Sequence, residues 1–162
     1  MSLTSFRIVE LEEQYRDWAR RLLISEWGGG EVVSHGQVHD VLKLPGYVAL
    51  LGEEPAGLVT YHIRGSECEL ITLNSLEEGI GIGSALVKRV AAKAQDEGCR
   101  RLWLITTNDN TKALRFYQIN GFRLAALRRG AIENSRKLKP LIPLIGIDGI
   151  PIRDEIELEM GL

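Results

Sequence analysis

Three glycines at alternate positions mark the first place in this sequence where chemistry can be done. In Glu78-Gly79-Ile80-Gly81-Ile82-Gly83-Ser84 they follow an apolar run, Leu70, Ile71 and Leu73, that reads as a strand. They lead into Ala85-Leu86-Val87-Lys88-Arg89-Val90, the opening of a helix whose apolar residues Leu86, Val87, Val90, Ala91 and Ala94 share one face. Gly98 stands where a left-handed cap ends such a helix. Strand, glycine loop and helix in that order place bare backbone N–H groups at the positive end of a helix dipole, which is an anion site and most often a phosphate site. A dinucleotide-binding loop would follow the first strand, with an acid at the end of the next one. Here the loop follows several strands and the next strand ends in Thr106-Thr107. No Gly-Lys-Ser/Thr triplet supports a nucleotide P-loop.

Composition narrows the ligand further. The 162 residues carry a formal net charge of −2, without the basic excess of nucleic-acid-binding domains. With 44% apolar and 26% charged residues, the chain reads as one ordinary globular domain spanning residues 1–162. No apolar run approaches the ~18 residues of a membrane span, and no signal-like apolar segment opens the chain, so a cytoplasmic protein is expected. Cys68 and Cys99 have neither zinc nor disulfide spacing and read as buried thiols. His35 and His39 are spaced like half a metal site, but no third ligand is near, so a surface pair and no metal are expected.

The remaining elements must hold the loop in place. Phe6 to Val9 reads as a strand, and Glu10 to Ile24 as a helix with Leu11, Tyr15, Trp18 and Leu22 on one face, ended by Trp27-Gly28-Gly29-Gly30. Val32 to Leu42 holds a short second helix. Tyr47–Leu51, Ala56–Arg64 and Glu67–Leu73 are three strands whose short links force antiparallel pairing. Loop, helix and the strand Arg101–Thr106 then make a parallel crossover. Thr107-Asn108-Asp109-Asn110 caps a helix from Thr111 to Ile119, and Phe122–Leu127 is another strand. Arg128 to Gly149 is loop-rich. Glu155 to Met160 alternates strictly, a strand with one solvated face whose exposed edge offers pairing to a second copy in a homodimer. The class is α/β with a mixed sheet.

Two motifs together resemble the GNAT superfamily of N-acetyltransferases. The loop Glu78 to Gly83 is similar to its acyl-CoA loop, (Arg/Gln)-x-x-Gly-x-(Gly/Ala). Downstream, Asn110, Ala113, Phe116-Tyr117 and Gly121-Phe122 resemble its second motif, Asn-x-x-Ala-x-x-(Phe/Leu)-Tyr-x-x-x-Gly-Phe. The order of elements from Phe6 to Leu127 also matches. The resemblance implies a central mixed sheet with antiparallel N-terminal strands and a parallel pair at an acyl-CoA cleft. One position departs: Glu78 stands where the family carries Arg or Gln. Binding is therefore expected through the backbone of Gly79, Ile80, Gly81, Ile82, Gly83 and Ser84, with Glu77 and Glu78 pointing outward.

The resemblance implies acetyl-CoA as co-substrate and a small-molecule primary amine as acceptor. No Cys or Ser lies in a nucleophile motif, so direct attack in a ternary complex is expected. It implies that Tyr117 protonates the leaving thiolate, and that Asn110 and Ala113 contact CoA, with helix capping as the other role open to Asn110. Splaying near Leu73 and Asn74 would free backbone N–H groups to polarise the thioester carbonyl. An alkylammonium, with a pKa of ~10.4, must lose a proton before it attacks. Glu69, on the strand entering the loop, is the leading base, directly or through water, ahead of Glu67 and His62. Its apolar neighbours predict a shifted pKa. Trp27, Ser34 and His35 fall in the segment that walls the family's acceptor pocket, and His62 lies beside Glu69. Glu67 and Glu69 favour a cationic acceptor, while the basic run Arg128-Arg129 and Arg136-Lys137-Leu138-Lys139, read as a solvated loop, pulls the other way. Ile150 to Glu155 has no assigned role. A different class of function, an acyl-CoA-binding regulatory domain without efficient chemistry, shares these features.

Overall fold

The computed structural model describes residues 5–162. Its elements run β1 (Phe6–Glu10), α1 (Glu13–Trp27), β2 (Glu31–Ser34), β3 (Gln37–Asp40), β4 (Gly46–Leu51), β5 (Glu54–Arg64) and β6 (Glu67–Ser75). Then come α2 (Ile82–Asp96), β7 (Arg101–Thr107), α3 (Thr111–Ile119), β8 (Arg123–Arg128), α4 (Ala131–Leu138) and β9 (Glu155–Gly161). Seven strands form one mixed sheet in the order β1-β4-β5-β6-β7-β9-β8, and β2 with β3 forms a separate hairpin. Every neighbouring pair in the large sheet is antiparallel except β6 and β7. No helix among the described residues is long and apolar enough to cross a membrane.

Strand alternation feeds two apolar layers. On one face Leu86, Val87, Val90 and Ala94 of α2 pack on Val59, Leu70, Leu102, Leu104 and Leu158. On the other, Ala19, Leu22 and Leu23 of α1 pack on Val48, Leu50, Leu58 and Ile71. Gly57 of β5 lets α2 sit close. A Cβ there would come within 2.5 Å of Ile82 Cγ2, and Ile82 is almost fully buried at the first position of α2. Gly57→Ala is therefore expected to lift the start of α2 from the sheet. Overpacking of this kind costs about 1–3 kcal/mol, or roughly 2–12 °C in unfolding temperature at this chain length. Thermal unfolding checks it, and acetyl-CoA affinity should fall with it because the glycine loop moves too.

Three expectations are corrected. The segment Val32 to Leu42 is the β2–β3 hairpin followed by a single helical turn at Val41–Lys43, not a second helix. His35 and Gly36 both take positive φ and close the tight turn, while Val33 pairs across to Val38. The stretch after Arg128, expected to be loop-rich, also carries one helix, α4, which starts beyond left-handed Gly130. Strand β9 lies between β7 and β8, so its edges are occupied; β1 and β8 are the sheet edges. Its polar face is not solvated either, because Glu155 and Glu157 are buried.

Candidate active site

Backbone N–H groups converge where β6 gives way to α2. Gly79 and Gly81 both hold left-handed φ, and Gly81 is the residue on which α2 begins. The first bond at the start of α2 runs from Ala85 N–H to the Gly81 carbonyl, at 3.0 Å. The N–H groups of Ile82, Gly83 and Ser84 precede the ladder and point out of the positive helix end. A Cβ on Gly79 or Gly81 would meet nothing within 4 Å, so the turn itself demands glycine and the space above stays open for a ligand. Gly83 is different. Its Cβ would stand 3.2 Å from Phe116 Cζ, so the third glycine lets α3 approach α2 and joins the two motifs physically. Ile82 is buried in the core and offers only backbone to a ligand. Glu77 and Glu78 are exposed, as expected. Glu78 forms an ion pair with Lys112 of α3, and that hydrogen bond holds its carboxyl below the usual range. These residues fit a pyrophosphate held by main chain.

Beyond the loop, the two parallel strands part. Their ladder holds only Glu67 with Arg101, Cys68 with Leu102, and Glu69 with Trp103. From Leu70 to Ser75, β6 stays paired with β5 alone. The β5–β6 register shifts between Thr60, opposite Thr72, and Tyr61, opposite Leu70, so Ile71 is the extra residue of a bulge. A V-shaped gap therefore opens just past Glu69 and Trp103, earlier than Leu73 and Asn74, which are half-buried along its side. Trp27 reaches this side, its indole Nε1 lying 3.5 Å from Asn74 Oδ1.

Beside the vertex, over the paired start of β6 and β7 and the β5–β6 turn, lies a cavity of about 660 Å³, lined by residues that include His35, His62, Glu69, Arg101, Trp103 and Glu157. Glu69 is only 6% exposed. Ser34 Oγ donates to its Oε1, and His39 Nε2 lies 3.6 Å from its Oε2. Burial pushes the Glu69 carboxyl up to about 7; the Ser34 bond opposes this, and the nearby Glu157 and Glu155 add to it. The hairpin thus brings Ser34 onto the expected base. His39, expected on the surface, is buried at 8% exposure, and its Nε2 has no hydrogen-bond partner. Burial, and secondarily His62 with its ring 5.5 Å away, lowers the His39 pKa. His35 is exposed and meets Trp103 edge-on, with ring centroids 6.1 Å apart. Glu67 turns to Arg101 at 3.3 Å. Burial disfavours the Glu157 charge, but hydrogen bonds from Arg128 and Arg101 outweigh it and hold that carboxyl below the usual range. Of these acids, Glu69 is the one poised near neutrality.

Tyr117 is buried between Phe116 and Phe122, with ring centroids at 5.1 and 5.4 Å. Its hydroxyl makes no hydrogen bond among the described residues, and burial raises its pKa. Asn110 caps α3, its Oδ1 accepting the Ala113 N–H at 3.2 Å. Asn108 accounts for the segment that had no role. Its Oδ1 accepts from the N–H groups of Arg153 and Asp154 at 2.9 and 3.0 Å, and its Nδ2 donates to the Pro151 carbonyl at 2.9 Å. The basic run is not simply solvated. Arg136 donates to the Pro143 and Ile152 carbonyls, both at 2.7 Å, and Lys139 Nζ donates to those of Trp27 and Glu31 at 2.7 and 2.9 Å. Trp103, Arg101, Arg128 and Glu157 were missed as cavity residues. The alternation of charged residues in Glu155 to Glu159 was the available signal.

Comparison with known proteins agrees with this geometry. Residues 6–122 match the family model described as acetyltransferase (GNAT) family. Among curated proteins, the uncharacterised YdhI of Bacillus subtilis strain 168 is 44% identical over 131 residues, covering 80% of this chain and 82% of its own. An IAA acetyltransferase from Bacillus cereus superposes with a TM-score of 0.76 at 24% identity, over 98% of this chain and 100% of the other. A GNAT family acetyltransferase from Elizabethkingia anophelis with acetyl-CoA bound gives 0.69 at 21% identity, over 97% and 98% of the two chains. With its glycine loop, its parted parallel strands and a family match over most of its length, the chain belongs to the GNAT family of acetyltransferases.

Proposed function

We propose that this acetyltransferase moves the acetyl group of acetyl-CoA onto a primary amine of a small molecule seated in the vertex cavity, by direct attack. One observation carries the reading. The last residue of the β6–β7 ladder, where the strands part, is a buried carboxyl held near neutrality and open to a cavity.

Acetyl-CoA, the co-substrate, supplies the activated acyl thioester. The N–H groups of Ile82, Gly83 and Ser84 bind its pyrophosphate, and the unpaired edge of β6 beyond Glu69 offers main-chain donors along the gap. Glu69 accepts a proton from the ammonium form of the acceptor. The freed nitrogen forms the C–N bond as the C–S bond breaks, and Tyr117 gives its proton to the departing sulfur. The nitrogen sheds its second proton as it becomes an amide, which restores Tyr117. The balance is ammonium plus thioester to amide plus thiol, with one proton left on Glu69. The Tyr117 phenol is protonated at neutral pH with or without burial. The burial that raises its pKa makes it a weaker donor, so transfer to sulfur awaits the charge that builds as the C–S bond breaks.

The test has two stages. Saturation at 100 times the dissociation constant adds ~2.7 kcal/mol, so acetyl-CoA should raise the unfolding temperature by roughly 5–11 °C while NADH and ATP do not. Mass spectrometry of an amine panel should then show N-acetyl products. No rise, or a rise without product from any amine, would contradict the reading.

The position of His39 leads to a pH prediction. His39 Nε2 stands 3.6 Å from Glu69 Oε2 without a hydrogen bond to it. Where its N–H favours the ionised carboxylate across that distance, His39→Phe should move the acidic limb of kcat/KM up, by less than about one pH unit. His39→Gln should bring it back. A fall in rate with no shift of the limb would show that His39 only fills space.

A further inference from the structure

Six charged side chains line the vertex cavity: Arg64, Glu67, Glu69, Arg101, Arg128 and Glu157. Four of them answer one another, although Arg128 Nη1 is buried without a hydrogen-bond partner among the described residues. Arg101 pairs with Glu67 and Glu157, and Arg128 Nη2 reaches Glu157 Oε1 at 2.8 Å. The carboxylates behind them are engaged too, Glu159 by Arg101 and Glu155 by Ser135 Oγ at 3.2 Å. Two charges are left without an opposite partner. Glu69 touches only the neutral hydroxyl of Ser34 and the buried imidazole of His39. Arg64 is exposed and has no carboxylate within 4.0 Å among the described residues.

Their placement is fixed by the sheet. Arg64 lies opposite Glu67, and His62 opposite Glu69, so Arg64 and Glu69 are diagonal neighbours on one face of β5 and β6. Such neighbours stand about 7–8 Å apart at the backbone. They do not pair with each other, and the cavity lies over both. The joint pull of Glu67 and Glu69 towards a cation is also gone, because Glu67 is spent on Arg101.

We infer that the acceptor is an amine that also carries an anionic group, an aminocarboxylate in the simplest form, with its nitrogen at Glu69 and its anion on Arg64. A guanidinium suits a planar carboxylate because its N–H groups meet both oxygens side by side. A diamine of the same length would instead bring a second cation against Arg64. The inference rests on the assignment of Glu69 as the base, and names the substrate class of that same site.

Matched acceptors test it: methionine against methioninamide, with an aminoalkylphosphonate and a linear diamine alongside. Wild-type protein should favour methionine over its amide by about 10–100-fold in kcat/KM, the range of one charge-assisted bond. In Arg64→Ala that preference should collapse to near parity, and in Arg64→Glu it should reverse towards the diamine. Turnover of the phosphonate, lost in the same variants, would show that Arg64 reads anionic charge rather than carboxylate shape. Equal use of acid and amide by the wild type, or an equal fall for both in Arg64→Ala, would overturn the inference and leave the transferase reading standing. If no amine is acetylated, the transferase reading fails. Arg64 is then judged by methionine binding to the CoA complex, followed by NMR: binding lost in Arg64→Ala supports the site, and equal or absent binding overturns it.

Discussion

Glu69→Gln is expected to lower kcat/KM for acetyl transfer by ~10²–10⁴ at pH 8 and, in the same protein, to raise the unfolding temperature. Both effects come from one buried charge. The Glu69 carboxyl is pushed up to about 7, chiefly by burial, whereas in the unfolded chain it titrates at the ordinary glutamate value of about 4.3. The folded state therefore holds this proton more tightly. Its contribution to stability is complete below about pH 4.3 and is lost as pH rises through about 7. Glutamine stays neutral throughout and can still accept the Ser34 hydroxyl. The variant should match wild type near pH 4 and exceed it at pH 8 by about 3–4 kcal/mol, or roughly 6–16 °C. Activity lost together with stability at pH 8 would point to a structural carboxylate. Activity retained would remove Glu69 from the chemistry.

Tyr117→Phe is expected to lower turnover by ~10²–10⁴ while acetyl-CoA affinity and unfolding temperature stay close to wild type. The ring packs between Phe116 and Phe122, and phenylalanine keeps those contacts. The hydroxyl bonds to nothing among the described residues, so its removal breaks no internal bond. The loss should shrink with a thioester whose thiol is more acidic, because that sulfur leaves without a proton. An equal loss with both thioesters would show that the phenol does not act on the leaving group. A large fall in unfolding temperature would assign it to the core.

Much of the scaffold was legible because local rules decide it. Gly52 and Gly65 sit in links too short for anything but antiparallel pairing of β4, β5 and β6. One helix between two strands makes β6 and β7 parallel. The expectation of a helix over Val32 to Leu42 failed because Val38 and Leu42, like His35 and His39, are spaced four apart and imitate a helical face. The turn signal at His35-Gly36 was the stronger one. That error hid His39, since helical spacing put it outward while the hairpin folds it over Glu69. The neighbours of β9 were illegible for another reason. Alternation tells which side of a strand is polar, and says nothing of which strands flank it. Arg101 meets Glu159 across 58 positions of chain, and no local pattern carries such a pairing. Asn108 was visible as a turn residue, but its grip on Arg153 and Asp154 belongs to the folded chain alone.

The most direct measurement is the titration of the Glu69 side chain itself, by ¹³C NMR of labelled glutamate carboxyls, with Glu69→Gln to assign the signal. A midpoint near 7 that coincides with the acidic limb of kcat/KM in the same protein is expected. A midpoint near 4, or an acidic limb that persists in Glu69→Gln, would contradict the claim that the carboxyl at the parting of β6 and β7 takes the proton from the amine.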